Sequence, residues 1–129
     1  MGIFKPEWER ELKAWLDNST DFADGARWFD GSILLGIGEQ MLWLKIYAGR
    51  VIDLKPQVSP FGFTFALRAP EETWGALVAE GRNEILSYTG SRKILAEGNL
   101  LEFMRLTKTV SVLVDGMRAV LGAGAAVKA

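Results

Sequence analysis

The sequence contains no cysteine and no histidine. The first absence excludes disulfides, thiolate nucleophiles and thiolate metal ligands, and the second removes the imidazole general base and the usual zinc ligand. No metal site and no cofactor are therefore expected. Neither sign of charge is in excess: 15 Lys and Arg stand against 16 Asp and Glu, a net charge of −1, with no dense basic block. Nucleic acid and an anionic membrane surface are accordingly not expected partners. No apolar run reaches the roughly 18 residues that a membrane span needs. The opening MGIFKPEWERELKAW is charged rather than an apolar signal region, and Val127-Lys128-Ala129 is not a Ser-Lys-Leu type address, so a cytoplasmic location is expected.

What is present is apolar content, 49% over 129 residues, enough for the core of a single domain spanning residues 1–129. Trp8, Leu12, Trp15 and Leu16 recur at helical spacing with charged residues between them. That spacing predicts an amphipathic helix at about residues 4–17, with Pro6 in its first turn and Asp17-Asn18-Ser19-Thr20 as the turn that ends it. Its two indoles read as core.

Three strands follow in SILLGIG, MLWLKIY and RVIDLK, joined by Glu39-Gln40 and Ala48-Gly49. Turns this short imply antiparallel neighbours. Alternation puts Leu42, Leu44 and Ile46 on one face, with Ile52 and Leu54 continuing that face in the third strand. Gly36 and Gly38 form a GxG, but it sits in or at the end of a strand without the rest of a dinucleotide fingerprint. It reads as a bulge or a close backbone contact.

After the Pro56 to Pro60 loop, Phe61, Phe63, Phe65 and Leu67 alternate with Gly62, Thr64, Ala66 and Arg68, a strand with one bulky face and one small-residue face. Pro70-Glu71-Glu72 opens a helix carrying Trp74, Leu77 and Val78, and Gly81 stops it. A short helix over Asn83 to Tyr88, an edge strand over Lys93 to Glu97, and a Gly98-Asn99 turn and N-cap follow. The last helix is predicted at about residues 100–121. Leu100, Phe103, Met104, Thr107, Val110, Val114, Met117 and Leu121 make one stripe, and Leu106, Leu113 and Val120 a second beside it. An arc this wide implies an apolar cavity or a covering second subunit. The tail, residues 122–129, is rich in small residues and is expected to fray.

Two local patterns in this element order carry a resemblance. One is the strand leading into Pro70-Glu71-Glu72-Thr73-Trp74 and then Gly81. The other is Leu95-Ala96-Glu97-Gly98-Asn99, where Asn99 stands in place of a common Asp and keeps the ability to cap a helix. With the element order, they make the chain resemble, from the N-terminal helix to about Leu121, the sterol-carrier-protein-2 (SCP2-like) family of small lipid-binding domains. The resemblance implies an α+β fold: a mainly antiparallel five-stranded sheet covered by helices, with an apolar tunnel for sterols, fatty acids, acyl-CoA or similar molecules. Such folds also serve as modules of enzymes.

The leading functional expectation is a non-catalytic carrier for an apolar or amphipathic small molecule, held by burial in an internal hydrophobic cavity. The candidate lining residues are Phe63, Phe65, Trp74, Leu77, Phe103, Met104, Val110 and Met117, each of which also fits ordinary core packing. The rival is a small cofactor-free enzyme or accessory subunit acting on a hydrophobic substrate. Its acid–base groups would be drawn from Glu39, Lys45, Tyr47, Asp53 and Tyr88, or from the cluster Asp24, Arg27, Trp28 and Asp30, yet no spacing among them demands catalysis. A homodimer or an enzyme partner would dock on the C-terminal helix. Without His or Cys, folding and ligand binding should persist unchanged in chelator and in reductant, as thermal melts with and without EDTA would test. Loss of folding in EDTA would reveal a carboxylate-bound ion.

Overall fold

Helices packed on one face of a five-stranded mixed sheet make up the chain, seen in a computed structural model that describes residues 7–57, 59–60 and 62–122. The order is α1 (Trp8–Asp17), α2 (Thr20–Gly25), β1 (Asp30–Ile37), β2 (Gln40–Tyr47), β3 (Arg50–Lys55), β4 (Phe65–Ala69), α3 (Glu71–Ala79), α4 (Ile85–Gly90), β5 (Leu95–Gly98), α5 (Leu100–Arg105) and α6 (Thr107–Met117), closed by a π-helical turn, Arg118–Gly122. Across the sheet the strands run β3-β2-β1-β4-β5. β1 pairs antiparallel with β2 and parallel with β4, while β2–β3 and β4–β5 are antiparallel. The sheet is therefore mixed rather than purely antiparallel. The parallel pair needs a long return path, and the connection from β3 to β4 supplies it.

That connection crosses the face of the sheet opposite the helices. Gly62 O accepts from Trp43 Nε1 at 2.9 Å and from Ser32 Oγ at 3.4 Å, while Thr64 N donates to Ser32 O at 2.9 Å and Thr64 Oγ1 accepts from Ser32 N at 3.1 Å. These bonds occupy the stretch expected to begin β4, so the strand starts only at Phe65. Phe63 consequently packs with Leu34, Trp43 and Ala66 on the outer face, away from Phe65 and Leu67 in the main core. Phe61 lies outside the described residues.

α1 buries Trp8, Leu12 and Leu16, as its spacing predicts, but it begins at Trp8 because Glu7 is left-handed at φ 68°. Pro6 and the expected start at residue 4 lie outside the described residues. Ser19, expected only as a turn residue, caps α2 by accepting from Phe22 N at 3.1 Å. This second helix has six residues, too few for a periodic signal. α1 and α6 approach closely because Gly116 has no side chain: a Cβ there would stand 2.7 Å from the Trp15 ring and 2.9 Å from Leu12.

The β2–β3 turn is Ala48-Gly49, with φ 53° and 85°, the left-handed pair that suits the twist of a tight hairpin. A shift of register between Lys45 and Ile46 then changes the phase of β3: Ile46 faces Val51, whereas Leu44 faces Leu54. A bulge adds one residue to the strand, so Val51 rather than Ile52 turns inward. Val51 is 2% exposed and Ile52 is 55% exposed, which corrects the expected inward position of Ile52. Leu42, Leu44 and Ile46 face the core as their alternation predicts.

The single helix expected over residues 100–121 is broken at Leu106, which has φ −108° and ψ 20°. Neither Gly nor Pro marks the break. Leu106 N is shared between Glu102 O and Phe103 O at 3.0 and 3.1 Å, and Val110 N restarts the helix by donating to Leu106 O at 2.8 Å. Beyond it α6 packs against α1, α2 and α4, so Val110 and Leu113, from its two adjacent stripes, are both core. The wide apolar arc of α6 is covered by the chain's own helices. Residues 123–129, most of the expected frayed tail, lie outside the described residues.

The bulge makes opposite predictions for neighbouring positions. Leu44→Asp, which puts an unpaired charge into the core, should abolish cooperative folding, whereas Ile52→Lys should change stability by no more than about 0.5 kcal/mol. Denaturant titration distinguishes them; an Ile52→Lys protein as damaged as Leu44→Asp would place Ile52 inside.

Candidate ligand-binding groove

Where α4 hands over to β5 the chain makes a tight reversal. Lys93 N and Ile94 N both donate to Tyr88 O, at 2.9 and 3.1 Å, and Arg92 is left-handed at φ 66°. Asn83 anchors the start of α4 to α6: its side-chain nitrogen donates to Ser111 O and to Asp115 Oδ1, both at 2.8 Å, while its Oδ1 accepts from Ile85 N at 3.1 Å. Arg118 adds a hydrogen bond to Glu80 O. β5 then runs along β4, and Asn99 ends it by donating its N–H to Thr64 O at 2.8 Å while its side chain caps α5 through Glu102 N at 3.0 Å.

Two adjoining clefts flank β5. An apolar groove of about 280 Å³ is lined by Thr89, Arg92, Ile94, Leu95, Ala96, Leu100, Phe103 and Met104. A larger cleft of about 480 Å³ lies at the end of the β1–β4 pair, lined by Gly36, Gly38, Arg68, Ala69, Pro70, Arg92, Lys93 and Leu95. Arg92 and Leu95 belong to both. Two further clefts lie elsewhere, one of about 320 Å³ between α1 and β3 and one of about 310 Å³ over Trp43 and Phe63 on the outer face.

The structure distributes the sequence-derived candidates unevenly. Phe65, Trp74, Leu77, Val110 and Met117 are fully buried in one contiguous core, and Trp74 Nε1 donates to Gly36 O at 2.8 Å. Phe103, 7% exposed, meets Phe65 edge to face at 5.5 Å between ring centres and also lines the groove. Met104, 64% exposed, forms the outer lip, and Phe63 stands on the other face of the sheet. Phe65, Phe103 and Met104 thus run from interior to surface. Ile94, Leu95 and Ala96 complete the groove; their sequence signal is only a short strand beside an N-cap, which names no ligand.

The polar groups considered for acid–base chemistry do not converge. Lys45 pairs with Asp30 at 2.9 Å, Asp53 accepts from Leu54 N at 2.8 Å, and Glu39 and Tyr47 are exposed. Arg105 lies over the Trp28 ring at 4.3 Å, which ties α5 to the segment before β1. Among the described residues no cluster of three or more acidic side chains is arranged to hold a metal ion, and no helix is long and apolar enough to cross a membrane.

No protein-family model and no curated protein sequence matches the chain. Solved structures do. The crystal structure of a sterol carrier protein 2 superposes with a TM-score of 0.76 at 19% identity, covering 89% of this chain and 96% of that one. The chain has the sterol-carrier-protein-2 fold. A conserved hypothetical protein from Thermus thermophilus, solved in solution, also gives 0.76, at 21% identity over 94% of this chain and 91% of its own. A ubiquinone synthesis protein, UbiJ-SCP2, gives 0.58 at 14% identity, covering 83% of this chain and 89% of its own. In this SCP2-like fold the groove lies at the β5 edge, beside the short helix α5.

Tyr88, on the helix behind the groove, donates its hydroxyl to Glu80 Oε2 at 2.7 Å and carries Lys93 over its ring at 4.9 Å. The hydrogen bond to Glu80, then burial, then the negative charges of Glu80 and Glu84 push its pKa from 10.0 up to about 12. Only the protonated phenol can donate. Since the folded value lies above the unfolded one, this contribution to stability is intact below pH 10 and is lost as the pH rises towards 12. Tyrosinate absorbance should show one phenol titrating near 12 and moving down in Glu80→Gln; an unmoved titration would show that Glu80 is not the cause.

Proposed function

We propose that this chain binds and carries an apolar or amphipathic small molecule, with the apolar part seated in the groove between β5 and α5. The observation that carries the reading is an open apolar groove beside a short helix that ends at the Leu106 break and leaves Leu100, Leu101 and Met104 exposed. Phe103 forms its inner wall. Movement of α5 about Leu106 would open the way past Phe103 to Phe65, and from there to the core positions Trp74, Leu77, Val110 and Met117; Phe63 takes no part in this seat. Hiding about 200–300 Å² of apolar ligand surface contributes about 5–8 kcal/mol before ordering costs, enough for useful affinity without a salt bridge. The SCP2 fold supports a carrier in general terms and leaves the ligand to the groove's own chemistry.

Met104→Lys tests the seat, because the side chain is exposed and its loss should hardly disturb folding. An apolar fluorescent probe should bind about five- to tenfold more weakly, with Tm within about 2 °C of the parent. Unchanged probe binding, together with a dimer that dissociates in native mass spectrometry, would make α5 an interface instead.

A further inference from the structure

We infer that the contact of Arg105 with Trp28 is a latch that holds α5 down over the groove, and that its release sets the pace at which a ligand enters and leaves. The pace of exchange rests on the groove reading above; the latch itself does not. α5 is held at few points. Phe103 is its buried side chain, set edge to face against Phe65, whereas Leu100, Leu101 and Met104 are exposed. At its start Asn99 N donates to Thr64 O and the Asn99 side chain accepts from Glu102 N, and at its end the chain turns at the buried Leu106. The outer side of α5 is tied to the rest of the domain through Arg105, whose guanidinium carbon lies 4.3 Å over the Trp28 ring.

Trp28 is a fixed post for that contact. Its ring meets Phe29 edge to face at 5.9 Å, and Phe29, 3% exposed, belongs to the main core. Phe29 N donates to Ala26 O at 2.9 Å, which closes the turn that carries the indole. Arg105 is aimed from its own helix, where Glu102 Oε2 stands 3.5 Å from the guanidinium one turn back. Glu102 Oε1 is buried without a hydrogen-bond partner among the described residues, a cost that the closed position bears and that access of water would relieve. Closing and opening tendencies are thus set against each other in one short helix. A cation over a half-exposed indole is a weak contact that breaks and re-forms readily, and the break at Leu106 supplies the pivot.

The chain has no cysteine, so a single introduced thiol reports the motion. Ile94 is fully buried and lines the groove, and Leu35 is fully buried in β1. In an Ile94→Cys background, Arg105→Met or Trp28→Leu should raise the rate of labelling by excess aromatic disulfide reagent about three- to fivefold, while a Leu35→Cys background should show no change. The two substitutions together should add little to either alone, because both remove one contact. Phe103→Cys gives a second thiol, on the inner side of α5, should Ile94→Cys fold poorly. The same variants should raise both the association and the dissociation rate of an apolar fluorescent probe by about that factor, with Kd within about twofold of the parent, whereas loss of an ordinary groove contact would raise dissociation alone. Unchanged labelling in both variants overturns the latch, as does equal acceleration at Leu35→Cys, which would mark general loosening. Faster labelling with unchanged probe rates overturns the control of exchange. Faster labelling with no probe bound by the parent would sink the groove reading and leave the latch standing.

Discussion

Strand β1 is the constraint on which the rest of this structure depends, because it is paired on both edges and covered on both faces. Ile33, Leu35 and Ile37 enter the helix-side core, and Leu34 enters the small outer cluster. Ser32 holds the crossing connection, and the Gly36 carbonyl receives the Trp74 indole. A strand so placed has no solvent edge at which to slip, and any change of register would exchange its two apolar faces. α3 is tied to it directly, and β4 and β5 take their positions by pairing outward from it.

The helix layer follows from the sheet having only one face free for it. The other face is closed at Leu34, Trp43 and Ala66 by the connection between β3 and β4, so the helices crowd together and α6 is enclosed by its neighbours. That enclosure accounts for the breadth of its apolar arc. It also accounts for the groove: α5, separated from α6 at Leu106, lies at the β5 edge, beyond the enclosure, and keeps Leu101 at 71% exposure. An edge strand with a short helix beside it leaves apolar surface that a core strand would have hidden.

The candidate site was legible only in part. Phe103 and Met104 stand out in the sequence because they lie on the stripe of the last helix, and both line the groove. The break at Leu106, which sets α5 apart from α6, has no Gly or Pro to announce it. Phe63 was indistinguishable from Phe65 by alternation, since nothing local reveals that Gly62 and Thr64 are committed to Ser32 and Trp43 far along the chain. Arg92 carries no signal at all in the sequence. It lines both clefts beside β5 and is left-handed at φ 66°.

Residue order by itself determined the number and sequence of the strands, the core face of β2, the caps and stops at Asn99 and Pro70, and the absence of thiol and imidazole chemistry. These are properties of short windows, in which period, turn residues and composition act within a few positions. The tertiary structure decided the parallel pairing of β1 with β4, the inward turn of Val51 in place of Ile52, the break at Leu106, and the meeting of an apolar groove with a cationic cleft. Each of those depends on a partner distant in sequence, and a free energy shared between distant partners leaves no periodic trace in either.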